Sequence, residues 1–222
     1  MATNTPNNQH MVLSFMTVRK VVGWLGMSLP PILLVGSLLL ADCPGMQDSI
    51  SHYYFTVTGD LFVGTLCAVS LFLFTYKGYN SKDNIFTNAA GLFALGVAFF
   101  ATHDNSTDRC SIVEMDAPAW RPFVHYGSAA LFFLTLAYIS LFLFTKSKGT
   151  KTPEKIKRNR IYRACALIMV ACLLLIALTH LLGWEQYNST WFKIVFYLET
   201  IALWAFGFSW LTKGEFLLKD EE

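Results

Sequence analysis

Apolar residues along the chain gather into runs of about twenty, separated by short segments rich in Lys, Asp, Asn, Ser and Thr. A hydrocarbon core about 30 Å thick needs roughly 20 apolar residues of helix, and six stretches meet that need, near 20–41, 58–76, 84–103, 123–145, 161–182 and 191–212. The pattern predicts an all-α polytopic membrane protein, a six-helix transmembrane bundle. Residues 1–17 are polar and read as a flexible N-terminal segment, 18–214 as the transmembrane domain and 215–222 as a short acidic tail. The first run holds Gly23, Gly26, Pro30 and Pro31, so a kink is expected where Pro31 withholds a backbone donor. A signal peptide fits this start poorly: Arg19 and Lys20 lie well inside the chain, the run is too long, and no small-x-small site ends it.

The connecting segments set the orientation. Fourteen of the 17 Lys and Arg fall at one end of the predicted bundle, which the positive-inside rule makes cytoplasmic. The other three, Arg109, Arg121 and Lys193, lie at the opposite end among Asp42, Asp48, Asp104, Asp108, Glu114, Asp116 and Glu185. Both termini are then cytoplasmic, as an even number of crossings requires. The basic run from Lys146 to Arg160 is accounted for as a topology determinant, without an arm for nucleic acid or a lipid-headgroup surface.

Composition agrees with this reading. Hydrophobic residues make up 54% and charged residues 14% of the chain, against about a quarter charged in soluble proteins. A net charge of +2 with 15% aromatic residues excludes a disordered chain and a basic nucleic-acid binder. Partners are expected among membrane lipids, a second copy of the chain or a larger membrane complex.

Five cysteines sort by the same topology. Cys67, Cys165 and Cys172 fall within helices as small packing residues. Cys43 and Cys110 fall in the two larger outer loops, either as a disulfide between them or as two free thiols. No CxxC or CxxCH occurs, so neither a thioredoxin-type pair nor a covalent haem is indicated.

The candidate chemistry gathers at the outer end. His52, His103, His125 and His180 come from four separate elements and are predicted at one depth, with Asp60, Asp104 and Glu185 nearby. Glu199 lies roughly 12 Å into the last helix, where an ionisable side chain marks either a functional site or a hydrogen bond to a neighbouring helix. Imidazoles and carboxylates converging in this way suit zinc, with an open position for water. The expected ligands are His52, His103, His125, His180 and Asp60, with Asp60 and Glu199 as proton carriers and Ser49, Ser51 and Tyr53 either making polar contacts around the ligands or binding an oxyanion. The plainer reading places the histidines at the headgroup interface. Haem held by two imidazoles is disfavoured because no inner-face histidine is present to hold a second haem. Stripes of small and polar residues, Asp60, Gly64, Ala68 and Thr75 on the second helix and His125, Ser128, Thr135 and Tyr138 on the fourth, are expected to face inward.

The segment Asp48, Ser49, Ile50, Ser51, His52, Tyr53, Tyr54, followed by Gly59, Asp60 and an apolar helix, resembles a group of small bacterial membrane proteins similar to the damage-regulated autophagy modulator proteins. That resemblance covers mainly 48–66 and implies a six-helix fold in a bacterial inner membrane, with no assigned reaction. A fainter one is to the alkaline ceramidase and adiponectin-receptor superfamily, whose members use Ser, Asp and His around zinc to hydrolyse lipid amides. Ser51, His52, Asp60, His103, His125 and His180 supply those residue types, but the closing HxxxH of that superfamily is missing. Three functions follow as expectations: a zinc-dependent hydrolase of an amphiphile, a metal-free lipid or small-molecule binder or stabilising subunit, and a proton-coupled carrier using Glu199.

Overall fold

The computed structural model describes residues 6–218 apart from 42, 44, 77, 79–80, 103–109, 114–117, 148–151 and 217. Six α-helices follow in order: α1 (Pro6–Ala41), α2 (Gly59–Thr75), α3 (Ser81–Phe99), α4 (Arg121–Tyr138), α5 (Pro153–Leu182) and α6 (Ile194–Lys213). Short 3₁₀ helices occupy Ser51–Phe55 and Trp184–Tyr187, and α4 runs on through a wider π turn over Ile139–Leu143. No strand occurs among the described residues.

Each predicted apolar run becomes one helix, with two boundaries moved by more than four residues. α1 is helical from Pro6, where polar composition had predicted a loose segment; proline suits a first helical turn, and no further Pro or Gly interrupts the helix before Gly23. α5 starts at Pro153 because Thr152 caps it, its side chain accepting the Lys155 N–H at 3.1 Å, with Glu154 in the first turn. It stops at Gly183, which turns left-handed at φ 63°.

Four helices are long and apolar enough to cross a membrane: α1 from Phe15, α4 with its continuation, α5 and α6, while α2 is apolar but shorter. Leu39, Leu71, Leu92, Leu167, Leu174 and Leu181 are each more than 60% exposed. An apolar surface of this extent needs lipid rather than water around it, and the chain is an all-helical membrane protein.

The helices form a closed ring in which each packs on the next in sequence and α6 returns to α1. Trp210, Phe206 and Phe132 pack with tilted and edge-on rings in its core, which also holds the fully buried Leu33, Leu136 and Met169. α1 and α6 approach closely because both offer glycine: a Cβ on Gly207 would lie 2.5 Å from the Gly23 carbonyl oxygen. Nearby, α1 remains helical through Pro30 and Pro31. Pro31 has no N–H for the Met27 carbonyl one turn back, and the Trp204 indole N–H on α6 donates to that oxygen at 3.0 Å. The expected kink is thus met by a hydrogen bond from the neighbouring helix.

The stripe on α2 faces the other way from expectation. Asp60, Gly64 and Thr75 are exposed, and a Cβ on Gly64 would meet nothing within 4 Å. Burial instead follows Phe62, Leu66, Val69, Ser70 and Leu73, an i, i+4, i+7, i+8, i+11 series that outweighs one acid at a helix start.

Three variants test this packing by thermal unfolding in detergent. Gly207→Leu is expected to force α1 from α6 and cost at least ~1–3 kcal/mol, whereas Gly64→Ala stays within about 0.5 kcal/mol of the parent. Trp204→Phe is expected to cost about 1 kcal/mol through the orphaned Met27 carbonyl.

Candidate functional site

One end of the ring is closed by the segment between α1 and α2. Cys43 and Cys110 are joined by a disulfide with their Cα atoms 5.5 Å apart, which ties this segment to the α3–α4 connection. The Met46 N–H donates to the Thr190 carbonyl at 3.0 Å, and the Ile112 N–H to the Phe55 carbonyl at 2.8 Å. The Ile50 N–H donates to Glu199 Oε2 at 2.6 Å. Glu199 therefore anchors, from inside α6, the residue that precedes the Ser51–Phe55 turn. That turn then enters α2 at Gly59, where a Cβ would lie 2.3 Å from the Tyr54 carbonyl oxygen, so only glycine fits.

The anchored turn delivers Ser51 to His125. Ser51 Oγ lies 2.8 Å from His125 Nε2, and His125 Nδ1 lies 2.6 Å from the Phe100 carbonyl oxygen at the end of α3. A carbonyl only accepts, so Nδ1 bears the ring proton; in the neutral imidazole Nε2 is then the acceptor and the Ser51 hydroxyl donates to it. His125 is 1% exposed, and Ser51 is 9% exposed. Beside them, the Ser49 hydroxyl accepts the His52 backbone N–H at 3.3 Å and lies 2.6 Å from His52 Nδ1.

These groups line a cavity of about 470 Å³ bounded by α4, α5, α6 and the 48–52 segment. Its polar lining comes from Asp48, Ser49, Ser51, His52, His125 and Glu199, and its apolar wall from Ala129, Ala130 and Phe133 of α4 and Leu173, Ile176 and Ala177 of α5. Tyr126, Ala177 and His180, which line it from the two helices, are exposed, so the wall is open between α4 and α5. Toward the other end of the bundle the gap closes: Phe144, just past the π turn, packs edge-on against Tyr162 of α5.

His52, His125, His180, Ser51 and Glu199 share this cavity. Asp60 lies outside it, exposed in the first turn of α2, and His103 lies outside the described residues. Among the described residues no three His, Cys, Asp or Glu side chains are placed to hold a metal ion. The described histidines of the cavity have hydrogen-bond partners of their own. Both ring nitrogens of His125 are engaged, by Phe100 and Ser51, His52 Nδ1 faces Ser49, and His180 Nδ1 pairs with Glu185 at 2.8 Å in an exposed position. Glu199, expected as a proton carrier, holds a backbone N–H. The Ser51–His125 contact joins residues 74 apart and has no signature in their spacing; only the shared depth of the histidines hinted at it.

No family model, curated protein or solved structure matches the chain.

Glu199→Gln keeps a carbonyl oxygen for Ile50 and is expected to melt close to the parent. Glu199→Leu leaves a shielded N–H without a partner and should cost about 1–3 kcal/mol. Equal melting temperatures for the two variants, measured in the same detergent, would remove Glu199 as the anchor of this segment.

Proposed function

We propose that the protein is an integral membrane amphiphile-binding protein that crosses the bilayer six times with both termini cytoplasmic. Its cavity takes the polar group of a single lipid-like molecule at the outer leaflet, with the apolar chain lying between α4 and α5. The observation that carries this reading is the two-sided lining of the cavity. Hydroxyls, imidazoles and carboxylates occupy one part and Ala129, Ala130, Phe133, Leu173 and Ile176 the other, with an opening on the side where the helices face lipid. A volume near 470 Å³ lies within the range of about 300–1,000 Å³ typical of ligand sites, and such sites combine an apolar wall with a few oriented polar groups.

The orientation rests on the Lys and Arg distribution. The end marked by Lys146, Lys155, Arg158 and Lys213 is the cytoplasmic one under the positive-inside rule, and the cavity lies at the other. Lys146 is paired there with the buried Asp83 at 2.5 Å, and Lys213 lies 5.4 Å from the centre of the Phe144 ring. These contacts give the basic end a packed character and leave the opposite end to receive a ligand.

Binding of a pyrene-labelled lysophospholipid to the protein in lipid nanodiscs tests the reading. Saturable binding is expected, weakened at least tenfold by Ala130→Trp, which fills the apolar wall. Unchanged affinity in that variant would sink it. For orientation, a fluorescent protein fused after Glu222 is expected to fold in the cytoplasm, and alkaline phosphatase at the same place to remain inactive.

A further inference from the structure

We propose that Ser51 and His125 form a metal-free nucleophile–base pair that hydrolyses the carboxylic ester of the amphiphile held in this cavity. The inference rests on the binding reading above and adds a reaction to it. Four observations converge. The Ser51 hydroxyl donates to His125 Nε2 at 2.8 Å, within the reach a general base needs. His125 is held in the required tautomer by the Phe100 carbonyl on its other nitrogen, the part an orienting acceptor plays in any serine–histidine pair. Ser51 lines the cavity, which places a bound ester beside this residue. Finally, Glu199 fixes the backbone one residue before Ser51, which keeps the nucleophile in register with its base.

The chemistry balances without a metal or a redox partner. Ser51 Oγ attacks the ester carbonyl carbon while His125 Nε2 takes the hydroxyl proton. Collapse of the tetrahedral intermediate breaks the bond to the alcohol oxygen, which leaves with the proton from Nε2, and the acyl group stays on Ser51. A water molecule then gives a proton to Nε2 and attacks the acyl carbon. The fatty acid departs, and the proton returns from Nε2 to Ser51 Oγ. His52 and Ser49 stand beside the pair on the same wall. The Phe100 carbonyl stabilises the imidazolium formed in each half-reaction, as an acceptor on Nδ1 does generally.

The full-length protein in nanodiscs is incubated with a long-chain alkyl fluorophosphonate, and adducts are mapped by peptide mass spectrometry. A single adduct on Ser51 is expected, absent in Ser51→Ala and formed about 10²–10⁴-fold more slowly in His125→Gln. Hydrolysis of p-nitrophenyl octanoate should fall in parallel. If His125→Gln does not fold, Ser51→Cys is compared with Ala130→Cys, a thiol on the same cavity wall without an imidazole contact. Iodoacetamide is expected to alkylate the former at least tenfold faster. Absence of a Ser51 adduct, labelling independent of His125, or equal alkylation of the two thiols each overturns the proposal. Lysophospholipid binding measured alongside separates the two claims: binding without a Ser51 adduct overturns the hydrolase and leaves the binding reading standing. A Ser51 adduct without lysophospholipid binding overturns both the binding reading and the lipid-ester assignment.

Discussion

Hydrocarbon offers no hydrogen bonds, so every polar group that the chain carries into it must be satisfied by the chain itself. Much of this structure answers that constraint. Helices satisfy most backbone groups internally, and several exceptions are met from neighbouring helices, while Ser37 Oγ, Asn159 Oδ1 and Trp210 Nε1 are buried without a hydrogen-bond partner among the described residues. Pro31 frees the Met27 carbonyl, and Trp204 reaches across from α6 to donate to it. Buried Ser70 donates to the Gly91 carbonyl at 2.8 Å and so joins α2 to α3. In the π turn Ser140 donates to Ser209 of α6 at 3.0 Å, and Ser209 donates onward to Phe206. Each bond is modest in energy, but leaving its partner unpaired away from water costs more, so these contacts fix which helix lies against which.

The same constraint explains how the site is made. The segment between α1 and α2 leaves the helical pattern, and its N–H groups need partners. Glu199 supplies one by accepting from Ile50, from a position inside α6 where a carboxylate would otherwise be costly. The disulfide between Cys43 and Cys110 holds two connections together, while the Glu199 bond sets the register of the turn. With the register set, Ser51 meets His125, and His125 in turn satisfies the carbonyl that α3 leaves free at Phe100. Structural satisfaction and chemical poise are therefore served by the same short hydrogen bonds, the hydroxyl and imidazole being both a buried polar pair and a nucleophile with its base.

The two ends of the ring differ in packing. At the basic end large rings and long cations fill the space: Trp210 against Tyr76 and Phe144, Phe144 against Tyr162, and Arg19 over Tyr76. At the other end α4 and α5 present alanines at 129, 130 and 177, and the volume they leave becomes the cavity. Small residues in a membrane bundle usually bring helices together, as Gly23 and Gly207 do for α1 and α6. Here small side chains facing one another across a gap leave room for a ligand.

What the sequence determined by itself was the set of helices, because each follows from a local run of apolar residues, four of them long enough for a membrane. It also placed three histidines, His52, His125 and His180, at one end, because alternation along the chain fixes which helix ends lie together. It left the facing of α2 open, since Asp60, Gly64, Ala68 and Thr75 form as regular a stripe as the Phe62 to Leu73 face that is buried. The pairing partners were likewise beyond it. Whether His125 would face a metal or a hydroxyl depends on where a turn 74 residues away is anchored, and that anchor, Glu199, is 149 residues from Ile50. Periodicity is a property of neighbours along the chain and reports burial. The identity of a hydrogen-bond partner is a property of neighbours in space, which only the closing of the ring decides.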